Sequence, residues 1–498
     1  MNERKIGILL SYLNIAIQAL LGFIYVPLLL HYIGTSEYGL YQLIGSLIAY
    51  FGIMDFGLTA AVTRFFAKYR ALKDYVAIEN LLALALRGYI IATFIAVIIG
   101  IICYFNIDIF LSKSLSPYEI KESKDIFILL IFNIALTLST LIFRAIINGY
   151  ERFLFLKGLE TIQLILQPIL VILLLEKNPT AFSVALAQTI LNSLLIISRG
   201  YYCFYRLRVK IKFHFWDWNL ISEFRRLSSS IFLECIVDQI FWKSNQVILG
   251  IIRGTVSVAV YSISSLVYMN YMALSTAISG VYLPYVTSLI AHSEPKEKIS
   301  LLFIEIGRWQ YYLLSLVASG FIIFGMQFIE IWAGKSFHDA YWITLIIIIP
   351  FSIDLIQNIG LSILQALNQY TFRAAVYTFI GILNICLAIP LAIKFGGIGC
   401  AIATGTSMFL GNGLCMNWYY AKHVGIDIKS FWLQIWDITR VVIFCTIIGY
   451  GGNMLFESQS KWIFIMKIII YMSFYIFCIY RGAMNTKERE KVKMFFTH

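Results

Sequence analysis

Gly34-Thr35-Ser36-Glu37-Tyr38-Gly39-Leu40-Tyr41 returns 220 residues later as Gly254-Thr255-Val256-Ser257-Val258-Ala259-Val260-Tyr261. Each copy occupies a short turn between two long apolar stretches. A segment repeated at this distance inside an apolar chain predicts two duplicated halves. In membrane proteins built this way, the polar working site lies where the halves face one another.

The composition sets the class. Of 498 residues 60% are hydrophobic and 13% charged, and the mean hydropathy is +0.80. Soluble domains carry about one quarter charged residues. Runs of about 20 apolar residues, enough to cross the hydrocarbon core as helix, recur along the whole chain. They predict about fourteen spans. The first two lie at 6–30 and 39–63, the seventh at 227–251, the eleventh and twelfth at 374–394 and 398–420, and the last two at 432–454 and 462–481. Phe395-Gly396-Gly397 is all that separates the eleventh from the twelfth. None of these runs alternates with a period of two, so a barrel is excluded and an all-α polytopic membrane protein is expected.

The net charge of +12 is topological. With the amino terminus placed inside, only Lys113, Lys121, Lys124, Lys177, Arg253, Lys335, Lys394 and Lys461 fall in outer segments. Most of the other Lys and Arg lie in inner segments or at inner helix ends, the asymmetry of the positive-inside rule. It predicts an even number of spans, both termini cytoplasmic, and no nucleic-acid partner. The opening Met1-Asn2-Glu3-Arg4-Lys5 leads into a run long enough to span, with no small-residue cleavage site, so it reads as an uncleaved first helix. Eight cysteines form no CxxC pair and six histidines lie in no shared motif, so neither a metal nor a catalytic centre is indicated.

The duplication suggests four regions: a six-helix bundle over 1–205, a basic linker over 206–226, a second six-helix bundle over 227–421, and two extra spans with a basic tail over 422–498. Within the linker, Arg206-Leu207-Arg208-Val209-Lys210-Ile211-Lys212 alternates basic and apolar residues and is followed by Trp216 and Trp218. Such a segment suits the anionic inner leaflet, either as a plain positive-inside linker or as a lipid-binding element.

Ionisable residues inside spans are costly and mark cavities or partners. The seventh span is the richest. Its Glu234, Asp238, Trp242 and Asn245 follow helical spacing and share one face. An offset of 220 sets Asn14 of the first span opposite Glu234, and Gln18 opposite Asp238. Both halves are therefore expected to turn a polar stripe toward a common cavity. Asp238, Glu234 and Asp354 are candidates to carry a coupling proton or sodium ion, because a carboxyl buried in a bundle binds protons more readily.

Several further segments carry a resemblance. The Gly34–Tyr41 run, Asp55-Phe56-Gly57-Leu58, Gly149-Tyr150-Glu151-Arg152-Phe153 and Gly396-Gly397-Ile398-Gly399-Cys400-Ala401-Ile402-Ala403 are similar to bacterial Wzx-type polysaccharide flippases. The resemblance extends over essentially the whole chain and includes the span count. It implies two six-helix bundles forming a V, plus two added helices flanking a groove for a prenyl tail. It also implies alternating-access transfer of an undecaprenyl-diphosphate-linked oligosaccharide to the outer leaflet, for O-antigen, capsule or a related surface polysaccharide. Partners would then be the lipid-linked glycan, the bilayer and other polysaccharide assembly proteins. No cofactor beyond a coupling ion is implied. For a diphosphate cargo the candidate cations are Lys243, Arg87, Arg308 and Arg144, with Asn14, Gln18, Glu234 and Trp242 toward the sugars. Two alternatives are a cation-coupled drug antiporter of the same superfamily and a membrane polymerase or acyltransferase. The extra spans argue against the first, and short outer loops without clustered reactive side chains argue against enzyme activity.

Overall fold

In a computed structural model the backbone is described for residues 3–292, 295–367, 369–455 and 460–497. Among these residues helix is the only regular secondary structure. In order the helices are α1 (Glu3–Ala49), α2 (Leu58–Ala71), α3 (Tyr75–Leu111), α4 (Pro117–Gly149), α5 (Phe153–Leu175), α6 (Ala181–Tyr201), α7 (Trp218–Arg253) and α8 (Thr255–Ala291). There follow α9 (Lys296–Trp332), α10 (His338–Leu355), α11 (Ile359–Ala366), α12 (Tyr370–Met408), the single turn α13 (Asn417–Tyr419), α14 (Ile428–Leu455), α15 (Lys461–Gly482) and α16 (Thr486–Thr497).

Among the described residues eleven stretches are long and apolar enough to cross a membrane. Two of them are double. Leu20–Ala71 is broken at Gly34 (φ 76°), and Thr371–Val424 at Gly396 (φ 58°), a backbone region that glycine alone enters freely. Dividing both, and adding the more polar α7, recovers the fourteen expected spans. The Gly396 break falls on the boundary read from the sequence. Packing divides the chain into two compact units, Met1–Ser262 and Ile263–His498, so α7 packs within the first unit, beyond the 206–226 segment that separates the sequence repeats.

In the first unit, α3 shows how such helices are sorted. Ile91, Phe94, Ile98, Ile102, Phe105 and Ile109 recur every three or four residues, and all are exposed, as a lipid-facing stripe should be. The opposite face carries Ala85, Ala92, Ala96 and Gly100, which are buried. A Cβ at Gly100 would stand 2.9 Å from Ile131 of α4. Small residues let helices approach closely where water supplies no driving force. Polar side chains complete the contact of α4 with α6: Asn192 Nδ2 donates to Asn133 Oδ1 (2.6 Å) and Thr137 Oγ1 (2.7 Å), and Asn133 Nδ2 donates to Thr189 Oγ1 (3.1 Å).

The two repeated turns meet inside this unit. Gly34 and Gly254 share one conformation (φ 76°, ψ 179° and φ 83°, ψ −175°), so the duplication is structural as well as sequential. Gly39 lies so close to the start of α8 that a Cβ would stand 1.9 Å from the Thr255 carbonyl oxygen. Beside it Glu119, which closes a capping box with Ser116 at the start of α4, turns its other oxygen outward. That Oε1 accepts from both Ser36 Oγ (2.6 Å) and Thr255 Oγ1 (2.7 Å). One carboxylate therefore joins both copies of the repeated turn.

In the second unit α9 carries a polar stripe, Arg308, Tyr312, Ser315 and Ser319, that receives the last helices. Tyr475 and Tyr471 of α15 meet Ser315 (2.7 Å) and Ser319 (2.6 Å) through their hydroxyls. Arg308 is 5% exposed and donates from Nε and Nη2 to the two oxygens of Glu488 on α16 (2.7 and 2.8 Å), and also to Tyr312 Oη and the Ala483 carbonyl. Burial pushes the Glu488 carboxyl up, but hydrogen bonds from Arg308, the Asn485 amide and Tyr312 outweigh it and hold the group below the usual carboxylate range.

A paired guanidinium and carboxylate this deep are expensive to separate. Arg308→Met or Glu488→Gln should each destabilise the purified protein by about 3–5 kcal/mol, read as a lower melting temperature. Arg308→Met/Glu488→Leu together should recover most of the loss. Because the Glu488 value is depressed in the folded state, its contribution is complete above the ordinary carboxylate range and is lost as pH falls through the depressed value. Melting temperature should therefore drop on acidification below about pH 4 in the wild type, and less steeply in Glu488→Gln.

Candidate functional site

The sequence-derived candidates separate into distinct places. Asn14 and Arg144 come together at one end of the first unit, where α1, α4, α5 and α6 converge. Arg144 Nη2 lies 3.3 Å from Glu160 Oε1, and Lys157 Nζ lies 2.7 Å from Glu160 Oε2. Asn14 donates to the Lys157 carbonyl (3.2 Å) and accepts from Thr161 Oγ1 (2.6 Å). Arg199 of α6 lies within electrostatic range of Arg144 and Glu160, and its Nε is buried with no hydrogen-bond partner among the described residues. Asp55 is held near Arg144 by a turn that interrupts the second expected span toward its inner end. There Phe56 (φ 49°) and Gly57 (φ 69°) are successive left-handed residues, and Thr59 donates to the Asp55 carboxylate (2.8 Å). Among the described residues three cations thus share two carboxylates, leaving a net positive charge with guanidinium donors to spare.

The other candidates stand elsewhere. Lys243 of α7 is half-buried and has no hydrogen bond or ion pair among the described residues. Phe232 of the same helix touches Phe56 (rings 4.8 Å apart), so the rise of α7 sets Lys243 roughly 16 Å along the unit from the Asp55 turn. Gln18 is exposed, Trp242 packs edge-on to Phe241 (4.8 Å), and Asp238 is half-buried and has an interaction partner. The Glu234 side chain lies outside the described residues. Asn245, expected on the same polar face, is 2% exposed and donates to Tyr261 (2.8 Å) in the second repeat turn. The next residue, Gln246, bonds Ser46 and Ser262. The upper part of the α7 stripe therefore packs helices together.

Three expected cargo or coupling groups are occupied by structural partners. Arg308 gives Nε and Nη2 to Glu488, Tyr312 and the Ala483 carbonyl and Nη1 to the Gln434 carbonyl (3.3 Å), so most of its donors are engaged within the fold. Arg87 is exposed, and its guanidinium lies 3.8 Å from the Phe213 ring centre and 5.1 Å from that of Trp216, against the linker. Asp354 pairs with Arg373 at 3.9 Å in the second unit. The linker itself splits as its alternation predicts, but its apolar side faces protein. Leu207, Val209 and Ile211 pack into a core of α2, α3 and α4 residues, while Arg206, Arg208, Lys210 and Lys212 are exposed. Asn80 fixes the linker by accepting from the His214 and Phe215 amides (3.0 and 3.2 Å).

Lys157, Glu160 and Arg199 complete the basic cluster, and sequence reasoning did not single them out for it. Lys157 and Arg199 read as topological charges near helix ends, and Glu160 as a structural acid. The available signal was the Lys157–Glu160 spacing of three on an otherwise apolar helix. Among the described residues no group of three or more His, Cys, Asp or Glu side chains is placed to hold a metal ion.

Comparison with known proteins agrees with this architecture. Residues 5–290, more than half of the chain, match the family model described as polysaccharide biosynthesis protein. A Shigella flexneri protein provisionally described as an O-antigen transporter is 22% identical over 414 residues, spanning 78% of this chain and 91% of that protein. Among solved structures, the lipid II flippase MurJ in an inward closed conformation superposes with a TM-score of 0.74 at 18% identity, covering 95% of this chain and 98% of that one. An inward-facing multidrug resistance MATE family transporter gives 0.58 at 14% identity, covering 83% and 98%. These structural likenesses establish a shared helical fold. The chain belongs to the polysaccharide biosynthesis protein family.

Proposed function

We propose that this protein carries an undecaprenyl-diphosphate-linked oligosaccharide from the inner to the outer leaflet by alternating access, with the basic cluster of the first unit taking the diphosphate. The observation that carries this reading is the surplus of cations around Glu160. A phosphate pair reaching the cluster offers Arg144 and Lys157 a second set of oxygens in place of the shared carboxylate, and it offers Arg199 an acceptor for its unpartnered Nε. Guanidinium forks bind phosphate oxygens in pairs, and the ammonium adds a point charge. Lys243, further along α7, is the next cation a moving phosphate would meet. Asn14, Gln18 and Thr161 supply amide and hydroxyl groups of the kind that hydrogen-bond sugars, and Trp242 a surface on which a sugar ring can stack. Asp238 and Asp354 remain the proposed coupling carboxylates, the latter once released from Arg373. With the basic segments facing the cytoplasm, the cluster opens to the inner leaflet, where the lipid-linked glycan is made, and both termini are cytoplasmic. The polyprenyl tail stays in lipid while the head group crosses.

In cells that depend on this protein for surface glycan, Arg144→Ala and Arg199→Ala should each reduce surface polysaccharide at least about tenfold at equal protein level, since each removes a charge-assisted phosphate contact. Arg144→Lys should retain part of the activity. Arg440→Ala, which removes an exposed pair with Asp437 on α14, should leave export unchanged. Normal export in both alanine variants would remove the cluster from the transport path.

A further inference from the structure

Two carboxyl groups outside the proposed cargo site stand at the opposite end of the first unit, at the head of α6. Ala181 N donates to Glu37 Oε2 (2.9 Å) and the next amide, Phe182 N, donates to Glu122 Oε1 (3.3 Å). Successive amides of one helix turn therefore hold the two side chains against each other, within hydrogen-bonding reach. Glu122 is 7% exposed, and its Oε2 is buried without a hydrogen-bond donor among the described residues. Among the described residues no cation pairs with either carboxyl: Lys121 and Lys177 are exposed and form no ion pair with them, and Lys124 is engaged with Asp108 (2.5 Å).

We propose that Glu37 and Glu122 form a proton-binding site, holding one proton between their carboxyl groups at the head of α6. The unpartnered Glu122 oxygen is the observation that points to this ligand. A donor is what the atom lacks, and a proton on the pair supplies it. Two carboxylates in contact, with no cation paired to them among the described residues, cannot both be ionised without strong repulsion, and they lose their protons as a coupled pair. The groups facing the pair make this sharper. On α4 these are Glu119, a further negative charge, and Tyr118, whose single hydroxyl hydrogen cannot serve both carboxylates. On α1, Tyr38 is engaged with Gln42, and Tyr41 with Gln188. Ala181 and Phe182 of α6 bring no charge.

The position gives the proton a mechanical consequence. Ser36 precedes Glu37, and Glu119 lies one turn before Glu122, so the pair borders the carboxylate that joins the two repeat turns. Loss of the shared proton adds a negative charge next to Glu119 and pushes the second segment of α1 away from α4. The site thus makes the junction of the repeat turns sensitive to pH on that face of the membrane.

The test uses the purified full-length chain and needs no glycan, so its outcome is independent of the cargo assignment. Infrared spectra recorded across a pH titration should show a protonated-carboxyl band that is lost on raising the pH. The band should be missing in both Glu37→Gln and Glu122→Gln. Melting temperature should fall as pH rises through the same interval in the wild type, because the folded state binds a proton that the unfolded chain has released. In Glu122→Gln the amide replaces the shared proton as donor, and this fall should disappear. A band that persists in both variants, or an identical pH dependence of melting in wild type and Glu122→Gln, overturns the proposal.

Discussion

A charge placed among apolar helices must find a partner within the protein, because lipid provides none. That constraint sorts this molecule. Arg308 gives Nε and Nη2 to Glu488, Tyr312 and Ala483 and Nη1 to the Gln434 carbonyl, and by doing so docks α16 against α9. Glu119 satisfies one oxygen in its own capping box and the other with hydroxyls from both repeat turns. Arg87 lays its flat cation on Phe213, an arrangement in which the ring face compensates the charge. Where pairing is complete the charge serves architecture. Around Glu160 it is incomplete, and there Arg144, Lys157 and Arg199 keep capacity for an anion.

The architecture was legible because hydropathy and duplication are carried locally. Apolar runs of about 20 residues gave the spans, and the turn glycines Gly34, Gly254 and Gly396 gave breaks that the backbone repeats. The small-residue stripe on α3 and the alternation of Arg206 to Lys212 likewise encode a face. Which medium covers that face is not local. The linker's apolar side was read as lying on lipid, but Leu207, Val209 and Ile211 fill a core built from α2, α3 and α4.

The site was legible only in part for the same reason. Asn14 and Arg144 were found because a polar or charged residue within an apolar run stands out by itself. Arg308 and Asp354 stood out equally, yet their partners Glu488 and Arg373 lie 180 and 19 residues away, and nothing in sequence spacing announces such pairs. Conversely, Lys157 and Arg199 sit near helix ends, where positive residues are expected on topological grounds alone. The repeat pointed to the first and seventh spans, but Asn245 and Gln246 of α7 are committed to Tyr261, Ser46 and Ser262. Unspent charge, rather than charge itself, distinguishes the cluster, and that requires the partners to be known.

The central claim is that a lipid-linked glycan crosses the bilayer on this protein through the Arg144–Lys157–Arg199 cluster. It is tested most directly by reconstituting the purified chain into vesicles carrying undecaprenyl-diphosphate oligosaccharide. The measurement follows the fraction of glycan that becomes accessible to an impermeant sugar-modifying reagent with time. The account predicts protein-dependent exchange between leaflets that Arg144→Ala/Arg199→Ala slows to the rate of protein-free vesicles. Exchange at the protein-free rate with the wild-type chain, or at the wild-type rate with the double variant, would contradict it.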